Sequence, residues 1–253
     1  MLELNKIYLG DCLDKMKEIE NKSIDMILCD LPYGTTQNKW DSIIPLNKLW
    51  EQYERIIKEN GCIALFAQTP FDKVLGCSNL KNLKYEWIWE KQKSTGFLNA
   101  RRAPLKAHEN ILIFYKKLPN YNPQMTKGQP YDKGVRKNGN GNGTYGNFNA
   151  APIVNVTGDR FPRTVLKFKT ADAEGKIIHP TQKPVALCEY LIKTYTNENQ
   201  IILDNCIGSG TTAAACINTN RNFIGIEQEE IYYNKANERI EKHIAEGQQL
   251  KII

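Results

Sequence analysis

The sequence predicts an α/β fold: a mainly parallel β-sheet with helices packed on both faces. Three observations point there. Short apolar runs alternate with stretches of helical periodicity along most of the 253 residues. Those runs are apolar throughout rather than alternating, as in strands buried on both faces. Two of them end in a carboxylate beside a turn, Asp30 after Met26–Cys29 and Asp204 after Ile201–Leu203. Open α/β sheets bind ligands at the carboxyl ends of their strands.

Each element follows from local pattern. Ile7 to Cys12 reads as a short strand and turn, and a helix follows over about 12–19. Ile24–Cys29 is a strand interrupted only by Asp25. Leu46, Leu49, Trp50, Tyr53, Ile56 and Ile57 recur with helical spacing, predicting a helix over 45–59 that Asn60-Gly61 closes. Cys62–Ala67 is a buried strand, Phe71–Asn79 a helix, and Tyr85–Glu90 and Asn110–Lys116 are further strands. From Lys117 to about Lys176 the chain is rich in Gly, Asn, Pro, Lys and Arg, and Lys137–Gly143 can hold almost no regular structure. A connection this long inside a compact domain is more often functional or flexible. It reads as an insert with one short strand, Val165–Phe168. Beyond it, Val185, Leu187, Cys188, Leu191 and Ile192 mark a helix, Gln200–Leu203 a strand, 211–218 a helix and Phe223–Glu227 a strand. A last helix over about 229–245 turns Ile231, Ala236 and Ile240 inward. The expected organisation is one domain built from 1–116 and 177–253, with 117–176 as the insert.

Composition narrows the class. Apolar residues make up 41% of the chain, enough for a sizeable core. No apolar run approaches the roughly 18 residues of a transmembrane helix, and the first residues lack a signal-peptide pattern. Seven cysteines without a Cys-x-x-Cys pair read as reduced core residues of a cytosolic protein. His108, His179 and His243 form no metal-ligand pattern, so no metal is expected. The net charge of +6 is mild, but Lys91 to Lys106 holds five basic residues and no acid. Such a patch can neutralise phosphates; a solvated loop is the plainer reading.

Ile201 to Thr212 reads as a strand, a glycine turn and a helix start. Gly208 and Gly210 lack Cβ and tolerate unusual φ, so the backbone can approach a ligand, and the helix start offers free N–H groups. No Lys precedes the hydroxyl residues, which excludes a Walker A site. The dinucleotide spacing is weakened because Ala213 stands at the third glycine position. Glu227 ends the next strand, where a carboxylate suits the ribose of any adenosine-containing ligand. A tight structural turn with no ligand is the alternative.

With both motifs in hand, the chain resembles the amino DNA methyltransferases that use S-adenosylmethionine, in the β-type order of the adenine-N6 enzymes. Asp30-Leu31-Pro32-Tyr33 matches the family's Asp-Pro-Pro-Tyr with Leu31 for proline. Asp204 to Thr212 matches Asp-Pro-Phe-x-Gly-Ser-Gly-Thr-Thr, with Asn205 and Cys206 replacing Pro and Phe. Gly10-Asp11-Cys12, His179 to Pro184, and Gly225-Ile226-Glu227 are lesser matches. The resemblance implies a Rossmann-like methyltransferase fold, circularly permuted so that the strand before Asp11 opens the chain. It implies that 1–116 is the catalytic part, 117–176 a target-recognition insert and 177–253 the cofactor-binding part. It gives Asp30, Pro32 and Tyr33 the chemistry. It places the cofactor among Asp11, Asp30, Thr181, Lys183, Asp204, Cys206, Gly208, Gly210, Thr211 and Glu227. The implied substrate is adenine N6 in double-stranded DNA, flipped out of the helix. Asp30 and a backbone carbonyl near Leu31 or Pro32 would accept the amine hydrogens while Tyr33 stacks on the base. DNA contacts are expected from Arg101, Arg102, Lys106, Lys133, Arg136, Lys137, Arg160 and Arg163, with Lys39 and Trp40 closing over the base. Resembling enzymes often form dimers, and some work beside a cognate restriction endonuclease. Cytosine-N4 methylation is the nearest rival, although Ser often replaces Asp there. RNA or protein methylation, an inactive DNA-binding module and an NAD-dependent oxidoreductase are the others.

Overall fold

The computed structural model describes residues 2–34, 41–134, 152–175, 177–179 and 181–249. Lys39, Trp40, Arg136 and Lys137 therefore lie outside the described residues. In chain order the first elements are β1 (Lys6–Leu9), α1 (Cys12–Met16), β2 (Ile24–Asp30), α2 (Leu46–Ile56), β3 (Ile57–Ala67), α3 (Phe71–Ser78), β4 (Leu83–Thr95) and β5 (Lys106–Phe114). Four two-residue strands follow: β6 (Thr126–Lys127), β7 (Tyr131–Asp132), β8 (Val154–Asn155) and β9 (Asp159–Arg160). The chain ends with β10 (Val165–Phe168), α4 (Val185–Tyr195), β11 (Ile201–Asp204), α5 (Thr211–Asn218), β12 (Asn222–Glu227) and α6 (Glu230–Gln249).

Eight strands form one sheet in the order β1-β12-β11-β2-β3-β5-β4-β10. β5 is antiparallel to β3 and β4, and every other pairing in the sheet is parallel. This is the expected α/β architecture. Side chains alternate across each strand, and β2 shows the consequence. Met26 and Leu28 enter one core with Leu187, Leu191 and Tyr195 of α4, Ala213–Cys216 of α5, and Ala236 and Ile240 of α6. Ile27 and Cys29 enter the other with Met16 of α1, Leu49, Tyr53 and Ile56 of α2, and Leu75 of α3. From β11 the chain goes through α5 to β12 on one side, whereas from β2 it goes through α2 to β3 on the other. The order therefore reverses between β2 and β11, where a crevice opens at the carboxyl ends.

Several expectations need correction. Asn60 and Gly61 do not close α2. Ile57 is already extended (φ −71°, ψ 139°), and 58–61 bulge from β3, which pairs Ile24 with Ile57 and next Met26 with Cys62. Gly61 is required in that bulge: a Cβ there would sit 2.6 Å from Ile57 Cγ1 and 3.0 Å from the Asp25 carbonyl. Ile231 faces outward at 66% exposure, and Tyr233 packs against the core with Ala236 and Ile240, because Tyr233, Ala236 and Ile240 share the i, i+3, i+7 spacing of one helix face and Ile231 falls off it. The basic segment 91–106 spans the tip of a hairpin: β4 runs to Thr95, β5 starts at Lys106, and the exposed connection between them holds a 3-10 turn at Phe97–Asn99.

The chain divides into two compact units, 2–122 with 164–249 and 123–163. The separate unit is smaller than the expected 117–176 insert, because β10 pairs with β4 and belongs to the main sheet. Within 123–163, β6 pairs with β9 and β7 with β8, all antiparallel.

A buried hydroxyl ties the outer half of the sheet to α4. Tyr195 Oη accepts from Trp87 Nε1 at 2.6 Å and lies 2.7 Å from Tyr85 Oη. Tyr195→Phe leaves the Trp87 N–H without its acceptor and is expected to cost about 1–3 kcal/mol in urea unfolding. Tyr85→Phe keeps that acceptor and should cost clearly less; equal losses would contradict this assignment.

Candidate active site

The carboxyl ends of β1, β12, β11, β2 and β3 lie along one edge of the sheet. There the chain forms a cleft of about 730 Å³ lined by Asp11, Asp30–Tyr33, Lys183, Asp204, Gly208 and Glu227, among others. The Asp30–Tyr33 turn near the start and the glycine turn near the end thus share one cavity. Its lining residues all belong to the unit made of 2–122 and 164–249. The volume suits a nucleoside-sized ligand.

Asp30 ends β2 and its carboxylate is held from both sides. Oδ1 accepts from Tyr33 Oη at 2.6 Å, and Oδ2 accepts from Lys183 Nζ at 2.5 Å. Lys183 Nζ also lies 3.2 Å from Glu109 Oε2, and Glu109 is paired in turn with Lys91. The Lys91, Glu109 and Lys183 side chains are 6%, 6% and 9% exposed. Burial raises the Asp30 pKa, Lys183 pulls it back, and the Glu109 charge pushes it up again. Burial would also raise Glu109, but Lys183 and Lys91 hold it below the usual carboxylate range. Burial disfavours the Lys183 cation, yet Asp30 and Glu109 outweigh that and keep it protonated. Sequence reasoning missed Glu109 and Lys91. The available signal was an acid at the head of the apolar run Ile111–Tyr115. Lys91 is thereby removed from the exposed basic patch.

The Tyr33 ring stacks on Phe71 at 5.3 Å between centroids. Pro32 is half-buried and, with Leu31, lines the cleft. On the other wall, Glu227 Oε2 accepts from the Gly208 N–H at 2.8 Å and Oε1 from the Glu229 N–H at 2.9 Å. Glu227 therefore orients the glycine turn. Gly208 has φ +52° and lies against His179, whose ring is also edge-on to Tyr232. Burial, then the charges of Lys183 and Lys235, lower the His179 pKa to about 4, so the ring is neutral at pH 7. Thr181 Oγ1 is 3.1 Å from His179 Nδ1. Thr211 Oγ1 donates to the Lys183 carbonyl at 3.3 Å. Arg239 of α6, unforeseen in the sequence, donates to the Ser209 carbonyl at 2.9 Å and to Thr211 Oγ1 at 3.1 Å. Asp11 caps α1, accepting from the Leu13 N–H at 2.8 Å. Cys206 lines the cleft with Asp204, which accepts its N–H, and with Asn205, which Tyr53 holds by a 2.5 Å hydrogen bond.

Two expected assignments change. Gly210 does not line the cleft. It is buried beside Ala236 and Ile240 of α6, and its φ of +76° at the start of α5 is the left-handed conformation that favours glycine, so its role is to shape the turn. Arg160 directs its guanidinium at the carbonyls of Gly158, Asp159 and Gln129 and over the Tyr131 ring at 4.7 Å, bracing its own ribbon. Lys133 also lies over Tyr131, at 4.9 Å. Arg101, Arg102, Lys106 and Arg163 are exposed. Among the described residues, no His, Cys, Asp or Glu group could hold a metal ion and no helix is long and apolar enough to cross a membrane.

A family model described as DNA methylase matches residues 24–238. The chain belongs to that family. This DNA methylase is 31% identical to the Type II methyltransferase M1.MboII of Moraxella bovis, across 94% of its own length and 96% of that protein's. It is 27% identical to the Type II methyltransferase M.HinfI of Haemophilus influenzae, covering 94% of this chain and 68% of the relative. Among solved structures, the M1.HpyAVI–SAM complex matches with a TM-score of 0.65 and 26% identity, covering 93% and 98% of the two chains. PvuII DNA methyltransferase (cytosine-N4-specific) matches with a TM-score of 0.67 at 14% identity, covering 92% and 84%, a likeness of fold alone.

Asp204 gives the methylase a pH signature. Burial raises its carboxyl to about 7, against an ordinary value of 3.8, although hydrogen bonds from Thr212 and the Cys206 N–H oppose the shift. The folded state then holds this proton to higher pH than the unfolded chain does, so stability falls between those two values as pH rises. Asp204→Asn is expected to raise Tm by several degrees at pH 8 and hardly at all near pH 4, measured by calorimetry. A gain of the same size at both pH values would sink this account.

Proposed function

We propose that this DNA methyltransferase transfers a methyl group from S-adenosylmethionine to the N6 amine of adenine in double-stranded DNA. The observation that carries the reading is the Asp30 carboxylate on the wall of a cleft shared with the glycine turn. Bound there, S-adenosylmethionine supplies the electrophilic methyl group. The residues fit it: Asp11, Cys206, Gly208 and Glu227 offer acceptors and close backbone on one side, and Thr181, Lys183, Asp204 and Thr211 line the rest. Each Glu227 oxygen keeps a lone pair beyond its backbone bond for a ribose hydroxyl.

An exocyclic amine is a weak nucleophile because its lone pair is delocalised into the ring. Asp30 has acceptor capacity left after Tyr33 and Lys183, so it accepts one amine hydrogen. A backbone carbonyl near Leu31 or Pro32 accepts the other. The nitrogen lone pair is then localised toward the methyl group, and positioning with fixed charges supplies the catalysis. Tyr33 stacks on the base. Reaching the target demands base flipping, which costs a few kcal/mol. Phosphate contacts from Arg101, Arg102, Lys106, Lys133 and Arg163 offset that cost. The setting is restriction–modification, in keeping with the Type II relatives; a cognate endonuclease and a homodimer belong to the same proposal.

Expression in methylation-free cells, with mass analysis of nucleosides and sequencing of modified bases, should show N6-methyladenine at one recognised site. N4-methylcytosine with no N6-methyladenine would overturn the adenine assignment, which the Asp30 carboxylate favours over cytosine. Asp30→Ala should lower methyl transfer at least about 100-fold while S-adenosylmethionine still binds in calorimetry. Arg101→Ala with Arg102→Ala should flatten the slope of log affinity against log salt by roughly two. An unchanged slope would remove this pair from the DNA interface.

A further inference from the structure

We infer that Glu109 is a positioning residue for methyl transfer: by sharing Lys183 with Asp30, it sets how strongly the Asp30 carboxylate accepts a proton. This rests on the proposed reaction and goes beyond it, because neither chain motif contains Glu109. The geometry is a chain of alternating charges. Asp30 Oδ2 meets Lys183 Nζ, the same Nζ faces Glu109 Oε2 at 3.2 Å, and Glu109 Oε1 meets Lys91. The four groups come from β2, the segment before α4, β5 and β4. Two acids and two bases make the cluster neutral, which allows it to be buried.

The cluster matters because of where a proton must go. As the carbon–nitrogen bond forms, the carbon–sulfur bond breaks and its electron pair stays on sulfur. The nitrogen then carries one hydrogen too many, and an Asp30 oxygen accepts it. If Lys183 paired with Asp30 alone, the carboxylate would be a weaker acceptor. Glu109 draws part of the ammonium's field away and adds a negative charge nearby, and both effects strengthen Asp30 as an acceptor. Lys91 limits the effect by balancing Glu109. Other titratable groups near Asp30 are Tyr33 and Cys29 from its own strand and turn, Asp204 from β11 and Cys188 from α4. None of these touches Glu109 in the ion-pair chain.

The test is a pair of substitutions with opposite signs in the intact protein. Aspartate side-chain carboxyls are labelled with carbon-13, the Asp30 signal is assigned by its loss in Asp30→Asn, and its titration is followed by NMR without cofactor or DNA. Glu109→Gln should lower the Asp30 midpoint by roughly one unit, and Lys91→Gln should raise it. Glu109→Asp should return it toward the wild-type value. Midpoints unmoved in both variants, or moved in the same direction, would overturn the inference; if Glu109→Gln does not fold, an Asp30 midpoint unmoved or lowered in Lys91→Gln does the same. In single-turnover methyl transfer, Glu109→Gln should be slower by up to about tenfold at its plateau, and its acid limb should move to lower pH. A shifted midpoint with an unchanged rate and limb would remove Glu109 from the reaction. Methyl transfer surviving in Asp30→Ala would instead overturn the proposed role of Asp30, leaving the titration result intact, so the two failures are distinguishable.

Discussion

The pairing of β2 with β11 is the constraint on which the site depends. Met26 and Ile27 lie beside Ile202 and Leu203, which brings together stretches far apart in sequence. Asp25 secures the start of that pairing. One of its oxygens accepts from Lys58 Nζ at 2.7 Å and Gln200 Nε2 at 2.9 Å, and the other from the Ile201 N–H at 3.0 Å. A buried carboxylate with three donors is satisfied rather than costly, and here it also fixes the register. From that register Asp204 falls level with Leu28, two residues before Asp30, so both carboxylates reach the same end of the sheet. A slip by one residue would turn every side chain of β2 to the wrong face.

Burial and charge are balanced around the cleft in two different ways. Asp30, Glu109, Lys183 and Lys91 are charged together, so each ion's loss of water is compensated by a partner. Among the described residues, no cation pairs with Asp204. It relies on neutral donors, Thr212 and the Cys206 N–H, and its proton stays on to higher pH. Neighbouring carboxylates on adjacent strands therefore differ in character because their partners differ.

Much of this was legible in the sequence. Asp30 and Asp204 announce themselves because each terminates an apolar run, and strand ends are the sheet's reactive edge. Helix α4 follows from its apolar spacing, and α5 from the glycine turn that precedes it. Other features depend on contacts that no local pattern encodes. Glu109 and Lys91 sit on neighbouring antiparallel strands, and only the register of the β4–β5 pair makes them partners. Gly210 has the composition of a ligand-approaching glycine, but α6 occupies the space beside it. Asn60-Gly61 looks like a helix stop, yet the chain had already become extended at Ile57. In each case tertiary packing overrode a correct local rule.

The stretch 123–163 is flanked by residues tied by backbone, one to α4 and one to β4. The Asn122 N–H donates to the Thr194 carbonyl at 2.8 Å, and the Thr164 carbonyl accepts from Ile88 at 2.8 Å. With both ends clamped, the entropy of closing the intervening chain grows only with the logarithm of its length. Lengthening or rewriting that stretch therefore costs the rest of the protein little. What the excursion contacts and what the cleft does are free to diverge at different rates.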